Sequence, residues 1–347
     1  QLHDRSHAMT STSDHTAGNW KVFYSNGSGE VNELVLGDAD QVLTSNGTSS
    51  APTWEDAASG GGSGWELTGN ASTVAGTNFV GTTDNVALDF RTNNTTKLRI
   101  TSKGQLETYN TRYSVMIGQG AGDAIDLTAS RYAVLIGYNA GKALTTGTNN
   151  IFLGYNAGTK KTTTQENIAI GGQSQADAAG GRSNVSVGYY SLYKNTGDYN
   201  VAIGMQALQS KTSGSRNIAI GYQSMYYQSP GNDNIAIGRW ALNECDGGSR
   251  NIGIGDEAGG DGSYWGDDNI VLGYRSGYKL TSASNNVLIG YQAGDILTTG
   301  GNNTIIGYGA DATANNLTNA TAIGNGASVN ASDKIVLGNA SATTVGG

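Results

Sequence analysis

Thirteen residues, Asp256 to Asp268, gather five carboxylates around an aromatic pair: Asp256-Glu257-Ala258-Gly259-Gly260-Asp261-Gly262-Ser263-Tyr264-Trp265-Gly266-Asp267-Asp268. Hard oxygen ligands of this kind hold calcium, which makes Asp261, Asp267 and Asp268 candidate ligands. Two carboxylates flanking a glycosidic bond can also hydrolyse it. Neither a calcium-loop spacing nor a catalytic motif accompanies them. A solvated acidic loop is the plainer expectation, so no metal and no cofactor is assigned. His3, His7 and His15 are the only histidines. Their confinement to the first turns of the sequence argues against Ser-His-Asp chemistry elsewhere. The His3/His7 spacing would suit a metal on a symmetry axis, but polar residues of an irregular terminus account for it more simply. The glycines recur at corners and no helix follows them, so no phosphate loop is read. No catalytic residue is assigned, and the chain is expected not to be an enzyme.

Aromatic residues offer a different chemistry. Tyr190, Tyr193, Tyr199, Tyr226, Tyr227, Trp240, Tyr264 and Trp265 fall outside the periodic aromatic position described below. A ring face covers the C–H side of a sugar while nearby carboxylates and amides take its hydroxyls. Tyr190, Tyr193, Tyr226, Tyr227, Trp240, Tyr264 and Trp265 are therefore the candidate glycan-binding residues. Packing between subunits competes with that reading for the same rings.

These residues hang on a repeat. A short phrase, usually polar, apolar, small or apolar, apolar, Gly, recurs fourteen times, as in Asn200-Val201-Ala202-Ile203-Gly204 and Asn234-Ile235-Ala236-Ile237-Gly238. Its glycines fall at 118, 137, 154, 171, 188, 204, 221, 238, 255, 273, 290, 307, 324 and 338, and nine of the thirteen intervals are 17 residues. A fixed period of this length marks a solenoid, whose coils cannot bury an apolar face alone. The expected fold is all-β, a trimeric parallel β-solenoid (β-roll) of about 14 coils. Alternation along a strand puts the first and third apolar residues on one face. That face is expected to line the lumen, with the middle residue outward and, at Phe152, Val271, Leu288 and Ile305, covered by a neighbouring chain. Ala or Ser stands three residues after every glycine, which suggests a narrow lumen. Asn opens ten phrases, and stacked coils would align them in an amide ladder. Tyr follows the glycine in seven coils (Tyr138, Tyr155, Tyr189, Tyr222, Tyr274, Tyr291, Tyr308), a structural stack at a corner.

The N-[VI]-A-I-G-x-x-[AS] phrase resembles the head repeats of trimeric autotransporter adhesins and similar repeats in bacteriophage tail fibres and tailspikes. Ala320-Thr321-Ala322-Ile323-Gly324-Asn325-Gly326-Ala327-Ser328 looks most like the adhesin-head coil. Lys334-Ile335-Val336-Leu337-Gly338-Asn339, with the end at Thr344-Val345-Gly346-Gly347, looks like the segment before an endosialidase-type intramolecular chaperone. In such fibres that chaperone drives trimerisation and is then cleaved off, so a mature cleaved form would fit. The resemblance covers roughly residues 112–347.

Composition agrees with thin stacked coils rather than a thick core: Gly counts 53, Pro 2, Phe 4 and Met 4. A formal net charge of −8 argues against a nucleic-acid partner. The single cysteine, Cys245, excludes an intrachain disulfide. No apolar run reaches membrane-spanning length, so no membrane insertion is expected. The sequence opens with Gln1 and no signal-peptide pattern, which suggests a processed chain or a fragment.

Three segments are expected. Residues 1–64 read as an attachment and linker region ending in Ser59-Gly60-Gly61-Gly62-Ser63-Gly64. Residues 65–111 read as a small β-rich unit that would intertwine with sister chains, because so short a segment has little core of its own. Residues 112–347 are the repeat shaft, roughly 65 Å long at the spacing of β-strands. One coil offers too little apolar burial to offset its ordering entropy, so three chains are expected to pack together. The functional expectation is a receptor-binding tail fibre or spike of a bacteriophage, on the virion tail or extracellular. Its partners would be two identical chains, a virion attachment protein at the N-terminal region, and a host cell-surface polysaccharide. A bacterial surface adhesin or filament subunit, and a depolymerising tailspike, are the alternatives.

Overall fold

The computed structural model describes residues 22–25, 31–34, 41–44, 52–56, 80–109, 113–126, 128, 132–177, 179–210, 213–227, 231–260 and 265–341. The chain divides into two compact units, 1–86 and 87–347. In the first, Val22–Ser25 pairs antiparallel with Val31–Leu34, and Gln41–Thr44 with Thr53–Asp56.

The second unit opens with a three-stranded antiparallel sheet, Leu88–Thr92, Thr95–Ile100 and Leu106–Thr108. Asn93 and Asn94, both at positive φ (48° and 52°), make the tight turn between the first two, the backbone that asparagine tolerates best and hairpins favour. Arg99 holds Asp89 through two bonds, Nε to Oδ1 at 2.6 Å and Nη2 to Oδ2 at 3.0 Å. Phe90, Ile100 and Leu106 are left exposed.

From Val115–Ile117 to Ile335–Leu337, fourteen three-residue strands stack into one parallel sheet, each paired in register with the same phrase of the next coil. The described chain contains only β-strands and turns, a right match for the repeat. Positions below are counted from each closing glycine. That glycine has φ of 121–141° from Gly137 to Gly324. A Cβ on Gly238 would stand 2.3 Å from the carbonyl oxygen of Gly255 in the coil above. Both the angle and the approach exclude a side chain.

The facing of the strands is the reverse of the expectation. The middle residue, Gly−2, points into the lumen: Phe152, Ala202, Ala219, Val271, Leu288 and Ile305 are all fully buried. The flanking residues, such as Ile203, Ile237 and Ile254, point outward. The lumen is filled by residues of reciprocal size. In three coils a large Gly−2 residue stands with glycine at Gly+4 (Phe152 with Gly158, Leu288 with Gly294, Val271 with Gly277), whereas Ile305 stands with Asp311; a Cβ on Gly158 would meet the Phe152 ring at 2.6 Å. Opposite Ser186, Ala202, Ala219 and Ala236 at Gly−2, Gly+4 is Leu192, Leu208, Met225 and Leu242, each buried, and opposite Ala169 it is the buried Gln175. Close packing of this kind leaves no room for a larger residue at Gly+3, and Ala140 through Ala327 at that position are buried as expected.

The asparagine ladder forms. Each Asn at Gly−4 accepts through Oδ1 from the backbone N–H at the same position of the next coil and donates through Nδ2 to a carbonyl of the coil above. For Asn234 the partners are Asn251 N at 2.9 Å and Gly248 O at 2.8 Å. These groups lie in the dry interior, where an unmade bond would be costly.

A charged residue also enters the lumen. At Gly+7, where Leu144, Leu280 and Leu297 are fully buried, stands Lys161. Its Nζ donates to the Gly180 carbonyl, and burial lowers its pKa from 10.5 to about 8. The unfolded chain therefore binds this proton more tightly than the folded one between those values, and folding stability gains as pH rises from 8 towards 10.5. Lys161→Leu is expected to raise the melting temperature at pH 7. The variant should also lack part of the parent's relative gain on going to pH 10, as paired thermal melts at the two pH values would read.

Candidate binding surfaces

Alternation along each strand sets two columns, Gly−3 and Gly−1, on the outer face of the shaft, and residues at Gly−5 and Gly+1 flank them as its two edges. Gly−3 and Gly−1 are nearly all Ile, Val or Leu, and many are exposed, up to 70% for Ile335. Fourteen levels of such residues make a continuous apolar face far beyond the scattered exposure normal on a soluble surface.

The Gly+1 edge carries the expected tyrosine stack. Tyr138 and Tyr155 lie 5.5 Å apart with rings inclined by 10°, and Tyr274, Tyr291 and Tyr308 stack at 5.2 and 4.8 Å. Tyr222 instead leans on Trp240 at 6.3 Å. The Gly−5 edge was not anticipated. All fourteen of its residues, from Tyr113 to Asp333, have positive φ although none is glycine. Seven of them are Asn or Asp, the residues that tolerate this conformation best, and that enrichment was the available signal. Arg216, Asp233, Arg250 and Asp268 run up this edge with alternating sign.

The candidate glycan residues separate into clusters. Tyr190 meets Tyr189 edge-on at 4.4 Å and Tyr193 at 4.7 Å. Lys160 and Asp177 form an ion pair close enough to bear on the charge of the Tyr193 phenol, whose pKa burial pushes up. Lys194 lies 6.0 Å from the Tyr193 ring. This patch joins ring faces to donors and acceptors of both signs, the mixture a sugar needs. Tyr226 and Tyr227 pack edge to face at 4.4 Å, with Tyr227 exposed. Trp240 is half-buried; its Nε1 donates to Gln223 Oε1 at 2.6 Å, and the Arg239 guanidinium sits 4.2 Å from its ring centre.

Trp265 is not a surface residue. It is 4% exposed and lies in the core, which removes it from the candidates. The cause is local. Its coil has glycine at both lumen positions, Gly253 and Gly259, and the indole fills the gap: a Cβ on Gly259 would stand 2.3 Å from Trp265 Cη2. Asp261, Tyr264 and the three histidines lie outside the described residues.

The described carboxylates of the acidic stretch are engaged rather than open. Arg250 binds Asp268 at 2.6 Å and Asp267 at 3.1 Å. It holds the Asp268 carboxyl below its ordinary pKa, the wrong direction for a general acid. Glu257 is buried between Arg275 at 2.5 Å and Arg239 at 3.3 Å. Among the described residues no cluster of three or more potential metal ligands occurs.

No protein family, no characterised protein and no solved structure shows significant similarity to this chain.

Proposed function

We propose that this chain is a structural receptor-binding fibre or spike of a bacteriophage, acting as a homotrimer that adheres to a host-surface glycan. The observation that carries the reading is the apolar outer face of the sheet, two columns of Ile, Val and Leu over fourteen coils. A partner with the same axial repeat covers it best, and a sister chain has that repeat. The exposed Phe90, Ile100 and Leu106 of the small sheet fit the same arrangement. The assignment to a phage fibre rests on the likeness of the Asn-Ile-Ala-Ile-Gly repeat to those fibres. Three copies would turn weak contacts at the Tyr190/Tyr193 patch and at Trp240 into useful avidity.

Binding to immobilised bacterial surface polysaccharides tests the reading. Tyr190→Ala with Tyr193→Ala is expected to weaken binding roughly tenfold or more, as loss of an aromatic anchor does, with Trp240→Ala next. Binding that survives both variants unchanged would remove these rings from the contact. Oligosaccharide released from the polysaccharide would point to a hydrolase instead.

A further inference from the structure

The apolar face has a weakness as an assembly surface. Its residues repeat every coil, so two copies displaced along the shaft by one coil bury almost the same groups. Register must come from elsewhere, as a single polar position sets it in coiled coils. On the Gly+1 edge just two residues of fourteen are charged, Arg239 and Asp256. At the same two levels the Gly−5 edge carries Asp233 and Arg250, so each coil presents opposite charges at its two edges. A threefold axis along the stack keeps every coil at its own height and joins unlike surfaces of neighbouring copies.

We propose that the Gly+1 edge of one copy meets the Gly−5 edge of the next, with Arg239 opposite Asp233 and Asp256 opposite Arg250, and that this quartet fixes the axial register. The inference rests on the homotrimer reading above. Displacement by one coil in one direction sets Arg239 against Arg250 and Asp256 against Asp268. Displacement in the other sets Arg239 against Arg216 and Asp256 against Asp233. Either slip makes two like-charged contacts, which cost heavily at an interface. All six side chains are solvent-accessible, and each already has a partner one coil away: Arg216 with Asp233, Arg239 with Asp256, Arg250 with Asp268. Contacts between copies would tie these pairs into an alternating lattice, and an arginine has donors enough for two carboxylates.

Oxidation of the double variant Asp233→Cys, Arg239→Cys in the full chain tests this. The two positions flank the strand Ile235–Ile237 on its two edges, with about 13 Å of chain from residue 234 to residue 238 between them, beyond disulfide reach, so any bond must join chains. Asp256 and Arg250 keep half of the quartet intact. Cys245 stays in place: it is buried, burial pushes its thiol up to about 12, and the oxidised parent is its control. The expected product is a closed covalent trimer on a non-reducing gel. The pair Arg216→Cys, Arg239→Cys, one coil out of level, should link at least tenfold less. Equal linkage of the two pairs overturns the register. A particle of three chains without linkage at 233 and 239 overturns the edge pairing while leaving the trimer. A single-chain mass for the parent overturns both.

Discussion

Gly238→Ala is expected to destabilise the shaft by about 4 kcal/mol, combining backbone strain with overpacking. At φ of 135° an L side chain is strained whatever the space around it. Here the space is also taken, since the new Cβ would stand 2.3 Å from the Gly255 oxygen and 2.7 Å from its carbonyl carbon. Relief would require the Gly238 and Gly255 coils to part. Their parting would break the bond from Gly255 N to Ile237 O at 2.9 Å. Gly247 provides the contrast. It also has positive φ, 83°, but nothing lies within 4 Å of its Cβ position. Gly247→Ala should therefore cost only about 1 kcal/mol of strain. Because stability in a solenoid is largely a sum over neighbouring coils, hydrogen exchange at the Ile235 and Gly255 amides, which bond across this seam to Asn251 O and Ile237 O, is the appropriate measurement. Gly238→Ala should open both, and Gly247→Ala should leave them protected.

Asn251→Ala is expected to cost about 3 kcal/mol, through buried groups left without partners. Asn251 Oδ1 accepts from the Asn269 backbone N–H at 2.9 Å and from Asn269 Nδ2 at 3.0 Å, and Nδ2 donates to Gly266 O at 2.9 Å. Alanine removes all three bonds in a site closed to water. Asn251→Asp separates the acceptor role from the donor role. It keeps the Oδ1 bonds but turns a second carboxylate oxygen on the Gly266 carbonyl, which favours the protonated acid in the folded state. A folded-state pKa raised above the unfolded one means stability gained as pH falls. The Asp variant should regain much of its loss between pH 7 and pH 4, and the Ala variant should not. Denaturant titration of both variants at the two pH values would decide it.

The period, the glycine corners, the small Gly+3 residue and the asparagine ladder were all legible in the sequence, because each is a steric or hydrogen-bonding requirement repeated at every coil. Which strand face lies inside was not. In Ile235-Ala236-Ile237 both faces are apolar, and alternation alone cannot choose between two apolar faces. The deciding signal was present at longer range: Phe152, Val271 and Leu288 at Gly−2 co-occur with glycine at Gly+4, and Ser186, Ala202, Ala219 and Ala236 with Leu or Met. Only residues sharing one confined volume trade size in that way. Trp265 was misplaced for the same reason, since its role depends on Gly253 and Gly259 both lacking side chains. The positive-φ residues at Gly−5 were hidden by their variety, from Tyr to Arg to Asp, although the Asn and Asp among them pointed to the conformation. The charge pairs Arg216 with Asp233 and Arg239 with Asp256 stand 17 residues apart, so the repeat places them together once its period is known. The surface aromatics carry no comparable constraint. Their clustering at Tyr190 and Tyr193 became visible only when the turns were placed.

The most direct test of the whole account is the mass of the intact protein in solution, by light scattering on a sizing column at neutral pH. A face of outward isoleucines and valines running the length of the shaft predicts a particle of three 35.7 kDa chains that does not dissociate on dilution to nanomolar concentration. A soluble particle of one chain, with that face open to water, would contradict it.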